Sequence, residues 1–287
     1  MRLILAFAAL AAAVSAHAQD MSITDLQKAA DAGDPKAQVD LGDAYADGHG
    51  VAQDYGQAMA QYQKAAAQNN ASADVAIAGL YERGAGVAQD DTQALAWNRK
   101  AADLGDMIAE YNLGAAYDNG RGAQRDLAAA FGWYGKAAGQ GLADAQYDLG
   151  NMYETGEGTT QDYAQAMTWY RKAADQNYAA ANYNLGLMYL GGEGVTQDDA
   201  TAFSLIEKAA QAGFPFAQGR MATIYDQGQA GQAKDPVKAY AWALLASDGG
   251  DPDAGDLLDR MDAHHELSDD QLKAASDLAD SIAAGSP

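Results

Sequence analysis

The sequence predicts an all-α fold: a right-handed α-solenoid (superhelix) of about six 36-residue helix-turn-helix repeats with capping helices. Three observations carry that expectation. Lys64, Lys100, Lys136, Lys172 and Lys208 recur every 36 residues, and so do Ala37, Ala73, Ala109, Ala145, Ala181 and Ala217. Around each of these alanines runs a version of A-x-x-x-L-G-x-x-Y-x-x-G-x-G, whose apolar positions fall at helical rather than strand spacing. Between the apolar runs, Gly, Asn and Asp stand in register where helices end and begin.

Residues 1–18 come first and are read as a targeting segment. Arg2, the apolar run from Leu3 to Val14 and the small residues of Ala16-His17-Ala18 have the pattern of a cleaved secretory signal peptide. The run is too short for a membrane anchor, which needs ~20 apolar residues. With no cysteine in the 287 residues there is neither a lipid-modified N-terminus nor a disulfide, so the expected location is the periplasm, with secretion as a further destination. Forty Asp and Glu against 18 Lys and Arg give a net charge of -22, which argues against nucleic acid and anionic lipid as partners.

Residues 19–36 then read as an N-terminal cap, with Met21 to Ala32 as a lone helix of the second type in the hairpin. Residues 37–252 hold the six repeats. In helix A of each copy, Ala, Leu and Tyr stand at i, i+4 and i+8, as in Ala145, Leu149 and Tyr153. The residue after Leu is always small (Gly42, Ala78, Gly114, Gly150, Gly186, Ala222), so a neighbouring helix can approach closely. A turn with Gly48, Gly84, Gly120, Gly156, Gly192 or Gly228 follows, and Asp54, Asp90, Asp126, Asp162, Asp198 or Asp235 then stands at the N-cap of helix B. Three of these caps, with Gln57, Gln93 and Gln165, have capping-box spacing. Helix B repeats apolar residues as in Ala166, Trp169, Ala173 and Ala174, and ends at Gly or Asn, the residues that enter a left-handed C-terminal cap: Gly33, Asn69, Gly105, Gly141, Asn177, Gly213 and Gly250. Trp97, Trp133, Trp169 and Trp242 hold one register position and are read as structural. The sixth copy carries one extra residue near Gly231 to Lys234. Residues 253–287 close the chain: Asp253 to Met261 is a degenerate helix A, and Ser268 with Gln271 opens a last helix through Ala284.

The string A-x-x-x-L-G-x-x-Y-x-x-G-x-G-V-x-x-D-x-x-x-A-x-x-W-x-x-K-A-A-x-x-G resembles the Sel-one-like repeat, a subclass of the tetratricopeptide superfamily. The resemblance covers residues 37–252, and the fourth copy departs from it at Thr159, where Val is usual. It implies an α-solenoid adaptor that holds partner proteins in bacterial envelope or signalling assemblies. One cysteine-rich branch is associated with penicillin binding. This chain lacks those cysteines, so that activity is not expected to transfer.

No catalytic constellation stands out. Beyond the leader the histidines are His49, His264 and His265, and a zinc reading of His264-His265-Glu266 fails because adjacent helical residues diverge by ~100°. Asp251, Asp253, Asp259 and Asp262 superficially suggest a calcium loop, but Gly255 is one place early. Gly48-His49-Gly50 lacks a preceding strand and a phosphate-binding Lys, so it is not a nucleotide loop. The expectation is no enzyme, no cofactor and no metal.

A binding face is sought on helix A, at positions three, seven and ten counted from the first Ala, which project opposite to the Ala-Leu-Tyr face. In the tetratricopeptide superfamily this face lines the concave groove. The candidate partner-binding residues are Tyr111, Tyr147, Tyr183, Glu82, Asp118, Asn151 and Glu154. Such a surface suits a protein partner: an envelope protein, a sensor domain, or a basic or mixed peptide segment. An alternative has the tyrosines pack on a neighbouring helix instead. The overall alternatives are a protein that binds or hydrolyses cell wall, and a secreted effector that engages a host protein.

Overall fold

A computed structural model of the chain describes residues 22–285, so the leader reading of residues 1–18 falls outside the described part. Among the described residues there are fifteen α-helices and no strand. The cap is α1 (Ile23–Asp31). The A helices of the six hairpins are α2 (Pro35–Asp47), α4 (Ala71–Arg83), α6 (Met107–Asn119), α8 (Ala143–Thr155), α10 (Ala179–Gly191) and α12 (Pro215–Gln227). The B helices are α3 (Tyr55–Ala66), α5 (Asp91–Asp103), α7 (Leu127–Gly139), α9 (Tyr163–Asp175), α11 (Asp199–Gln211) and α13 (Pro236–Asp248), followed by α14 (Pro252–Ala263) and α15 (Asp269–Ala283). Within hairpins α2 packs on α3, α4 on α5, α6 on α7, α10 on α11 and α12 on α13. Between hairpins α3 meets α4, α5 meets α6, α9 meets α10 and α11 meets α12. This is an all-α solenoid. The described residues divide into two compact units, 22–145 with 157–159 and 146–156 with 160–285.

Local chemistry sets the helix ends. Asn69 and Asn177 take φ of 60° and 63°, the left-handed region into which the chain must turn after helix B. At the start of helix B, Asp54 Oδ1 accepts from the Gln57 N–H at 3.0 Å, Asp90 Oδ1 from Gln93 at 3.0 Å and Asp162 Oδ1 from Gln165 at 3.0 Å. The reciprocal half of the capping box is not formed there. The N–H of each cap instead donates to the Tyr carbonyl of the preceding helix A: Asp54 to Tyr45 at 2.9 Å, Asp90 to Tyr81 at 3.1 Å and Asp162 to Tyr153 at 2.8 Å. A tertiary acceptor has displaced the local one. At α15 the box does close, with Gln271 Oε1 accepting from the Ser268 N–H at 3.0 Å.

Packing within a hairpin depends on size matching that lies 20 residues apart in sequence. The glycine after Leu faces a large helix-B side chain: Gly42 faces Tyr62, Gly114 faces Tyr134, Gly150 faces Tyr170 and Gly186 faces Ile206. A Cβ placed on Gly150 would come within 2.7 Å of the Tyr170 ring. Where helix A carries Ala78 or Ala222 instead, the equivalent helix-B residue is the smaller Asn98 or Ala243. Beside this contact runs a buried polar row at position two of every copy: Gln38, Asp74, Glu110, Gln146, Asn182 and Gln218. In three copies a glutamine from the end of helix B satisfies it, Gln68 Nε2 donating to Gln38 Oε1 at 2.9 Å, Gln140 to Glu110 at 2.8 Å and Gln176 to Gln146 at 2.9 Å. In the second copy Leu104 replaces that glutamine and Asp74 is left with Lys100, 3.8 Å away.

The C-terminal end of the second unit is sealed by Met261 and Leu267, which join the cluster of Ile206, Met221, Ile224, Tyr225 and Trp242. Ala275 and Ala279 of α15 close on Ala241 of α13.

Candidate partner-binding face

Positions three, four, seven and ten of helix A can be followed in each unit separately. In the second unit, α8 supplies Tyr147, Asn151 and Glu154, and α10 supplies Tyr183, Asn184, Leu187 and Leu190. The glycine notch at Gly150 lets the Tyr170 ring cross from helix B, so its hydroxyl emerges among these residues. Tyr170 Oη lies 2.6 Å from Asn151 Oδ1 and also meets Glu154 Oε2, its single hydrogen shared between the two acceptors. Asn184 Nδ2 donates to Tyr170 Oη at 3.1 Å and to Asn151 Oδ1 at 3.2 Å. Burial, together with the Glu154 carboxylate, pushes the Tyr170 hydroxyl up, so it stays a neutral donor.

The tyrosines at position three are half-buried rather than free of the core. Tyr147 lies 5.7 Å from the Tyr170 ring and 5.1 Å from Tyr178, and Tyr183 lies 5.5 Å from Phe214. At Tyr147 the cause is again the glycine after Leu, since the Tyr170 ring fills the notch and reaches position three; at Tyr183 the notch is filled by Ile206 and the ring rests on Phe214 instead. Tyr178 and Phe214 hold the N-caps of α10 and α12 without a capping hydrogen bond, so there the cap position serves aromatic packing instead. The tyrosine series stops at Gly219 because the Asp251 carboxylate lies where a side chain would begin. Arg220 stands beside them. Its charge and that of Asp251 act in opposite senses on the Tyr183 hydroxyl, which burial pushes up.

In the first unit, Tyr111 lies 5.4 Å from Tyr134. Tyr62 Oη donates to Asp43 Oδ1 at 2.7 Å, and burial pushes the Asp43 carboxyl up to about 6. Asn112 Nδ2 donates to the buried Asn98 at 3.2 Å. Burial raises the Glu82 carboxyl, against the pull of Arg121, Arg83 and a hydrogen bond from Asn98. Asp118 is already engaged: Arg125 Nη2 stands 3.7 Å from its carboxylate and Arg125 Nε donates to its carbonyl at 2.7 Å.

The structure thus places Asn151 and Glu154 in one hydrogen-bonded group with Tyr147 beside it, sets Tyr183 on the next helix A, and gives Glu82 and Asp118 separate surroundings in the other unit. Sequence reasoning missed Tyr170, Asn184, Asp43, Asn98 and Arg220. A signal existed for Asn184, since it and Asn112 are polar residues at position four of helix A, immediately before the core leucine. Two open depressions of about 660 and 670 Å³ lie elsewhere, at the turns around Tyr117 and Tyr189. Among the described residues no three of His, Asp and Glu come together in a way that could hold a metal ion.

Comparison with known proteins adds the family context. The Sel1 repeat matches residues 35–70, 71–106, 108–142, 143–178, 179–214 and 215–251. A Sel1 repeat protein from Oxalobacter formigenes is similar, at 34% identity and a TM-score of 0.72 over 82% of this chain and 68% of that one. A protective antigen of uropathogenic Escherichia coli displaying an SLR fold is similar at 30% identity and a TM-score of 0.81 over 90% of this chain, which spans 57% of that antigen's length. No curated protein matches the chain.

Proposed function

The chain belongs to the Sel1 repeat family, whose folds mediate protein-protein interaction, and from that premise we propose that it is a non-enzymatic scaffold, exported to the periplasm, that holds a segment of a partner protein along the inner face of its A helices. The export part rests on residues 1–18 alone. The binding part rests on one observation: Asn151, Glu154, Tyr170 and Asn184 form a hydrogen-bonded group on helix A's solvent side, flanked by the half-buried rings of Tyr147 and Tyr183. A fixed array of amphipathic rings and oriented polar groups loses little side-chain entropy when a partner docks. The Tyr170 ring belongs to the core, whereas Asn151, Glu154 and Asn184 are half-buried polar side chains outside it.

The test is a pull-down from periplasmic extract with the intact chain and with a Tyr147→Ala, Tyr183→Ala variant. The expected result is a defined protein partner captured by the parent and lost from the variant while helical content stays the same. Capture of nothing, or equal capture by both chains, would reject the reading.

A further inference from the structure

The acids at position ten of helix A are equivalent in sequence, and the structure makes them unequal. Asp118 has Arg125 at 3.7 Å and Asp226 has Arg260 at 2.8 Å. Glu82 has Arg121 and Arg83 close enough to favour its charge. Glu154 has no cation. One of its oxygens takes the Tyr170 hydroxyl, and among the described residues nothing pairs with the other.

The hydrogens of the group around it can be counted. Tyr170 offers one hydrogen and the Asn184 amide two, and the acceptors they serve are Glu154 Oε2, Asn151 Oδ1 and Tyr170 Oη. Three donors meet three acceptors, which leaves the second Glu154 oxygen, the Asn151 amide hydrogens and Asn184 Oδ1 unspent. The Asn pair thus presents one donor and one acceptor, the complement of a main-chain amide, next to a carboxylate without a counter-charge. Further along the same face of α10, Leu187 and Leu190 are half-buried and apolar. Arg220 and Asp251 act in opposite senses on the Tyr183 hydroxyl.

Resting on the scaffold reading, we infer that Glu154 anchors a lysine or arginine side chain of an extended partner segment, whose backbone meets the Asn151 and Asn184 amides and whose next apolar side chain lies on Leu187 and Leu190. Charge favours this occupant twice: locally through the position-ten acid that lacks a cation, and at long range through a chain of net charge -22, which draws a basic segment in and repels an acidic one.

The experiment selects phage-displayed random dodecapeptides on the intact chain and measures the enriched sequences as fluorescein-labelled peptides by anisotropy. Enriched peptides should carry Lys or Arg. Their dissociation constant should rise about tenfold with Glu154→Gln, a charge-assisted hydrogen bond lost, and stay within about twofold with Asp226→Asn, whose acid is already paired. Glu154→Gln keeps an acceptor for Tyr170, and equal thermal midpoints for the two variants and the parent exclude misfolding as the cause. Equal losses from both variants, or no enriched peptide, would overturn the inference. Peptides lacking a basic residue that still lose affinity with Tyr183→Ala would overturn it while leaving the scaffold reading intact.

Discussion

Asp43 shows what half-burial does to one carboxyl. Its value rises from 3.8 to about 6, first through desolvation, with Asp40 and Asp47 adding to the rise and the Tyr62 hydrogen bond and Lys36 opposing it. A carboxyl whose folded pKa lies above its unfolded one folds best in its neutral form. Its contribution to stability is therefore complete below pH 3.8 and is lost as the pH climbs through about 6. Asp43→Asn keeps an acceptor for Tyr62 and removes that loss. At pH 7 the variant should exceed the parent in stability by roughly 2 kcal/mol, and the gap should close near pH 4. Urea midpoints at the two pH values check this, and a gap that does not change with pH would show that another group governs the loss of stability between pH 4 and 7.

At the scale of the helical pair, the notch after the core leucine decides how closely helix B sits. Gly150→Ala gains helix propensity worth about 1 kcal/mol, yet its new Cβ would overlap the Tyr170 ring, which typically costs 1–3 kcal/mol. The expected result is a net loss. In a Tyr170→Ala background the overlap disappears and the same substitution should become neutral or stabilising, so urea denaturation of the four chains in a double-mutant cycle should show a change of sign. An equal cost in both backgrounds would mean that the ring is not what the glycine accommodates. The same pairing explains why copies with Ala78 and Ala222 carry Asn98 and Ala243 opposite. It also explains the site, because without the notch the Tyr170 hydroxyl would not reach Asn151 and Glu154.

For the molecule as a whole, stability in a repeat array is a sum of local units and their nearest-neighbour interfaces. Met261 and Leu267 complete the last apolar cluster of the second unit, and Ala275 and Ala279 cover Ala241. Deleting α14 and α15 should therefore strip hydrogen-exchange protection from α12 and α13 and leave α2 to α6, in the other unit, protected as before. Exchange followed by mass spectrometry reads this directly, and a uniform loss over all helices would show that the array opens as one block. Among the described residues no helix is long and apolar enough to cross a membrane.

The sequence by itself determined the all-α repeat architecture and the helix ends at Asp and Gly or Asn. Those features depend on the 36-residue period and on hydrogen bonds between residues close in the chain. Only the tertiary structure decided that the main-chain N–H of each Asp cap donates to the Tyr carbonyl of the preceding helix rather than to the side chain of Gln57, Gln93 or Gln165, that a polar row is buried at position two, and that Tyr147 and Tyr183 lean on the rings of Tyr170 and Phe214. It alone separated Glu154 from Asp118. Whether an acid is open or already paired depends on which cation a second segment brings within a few ångströms, and a pattern read along one helix carries no record of that neighbour.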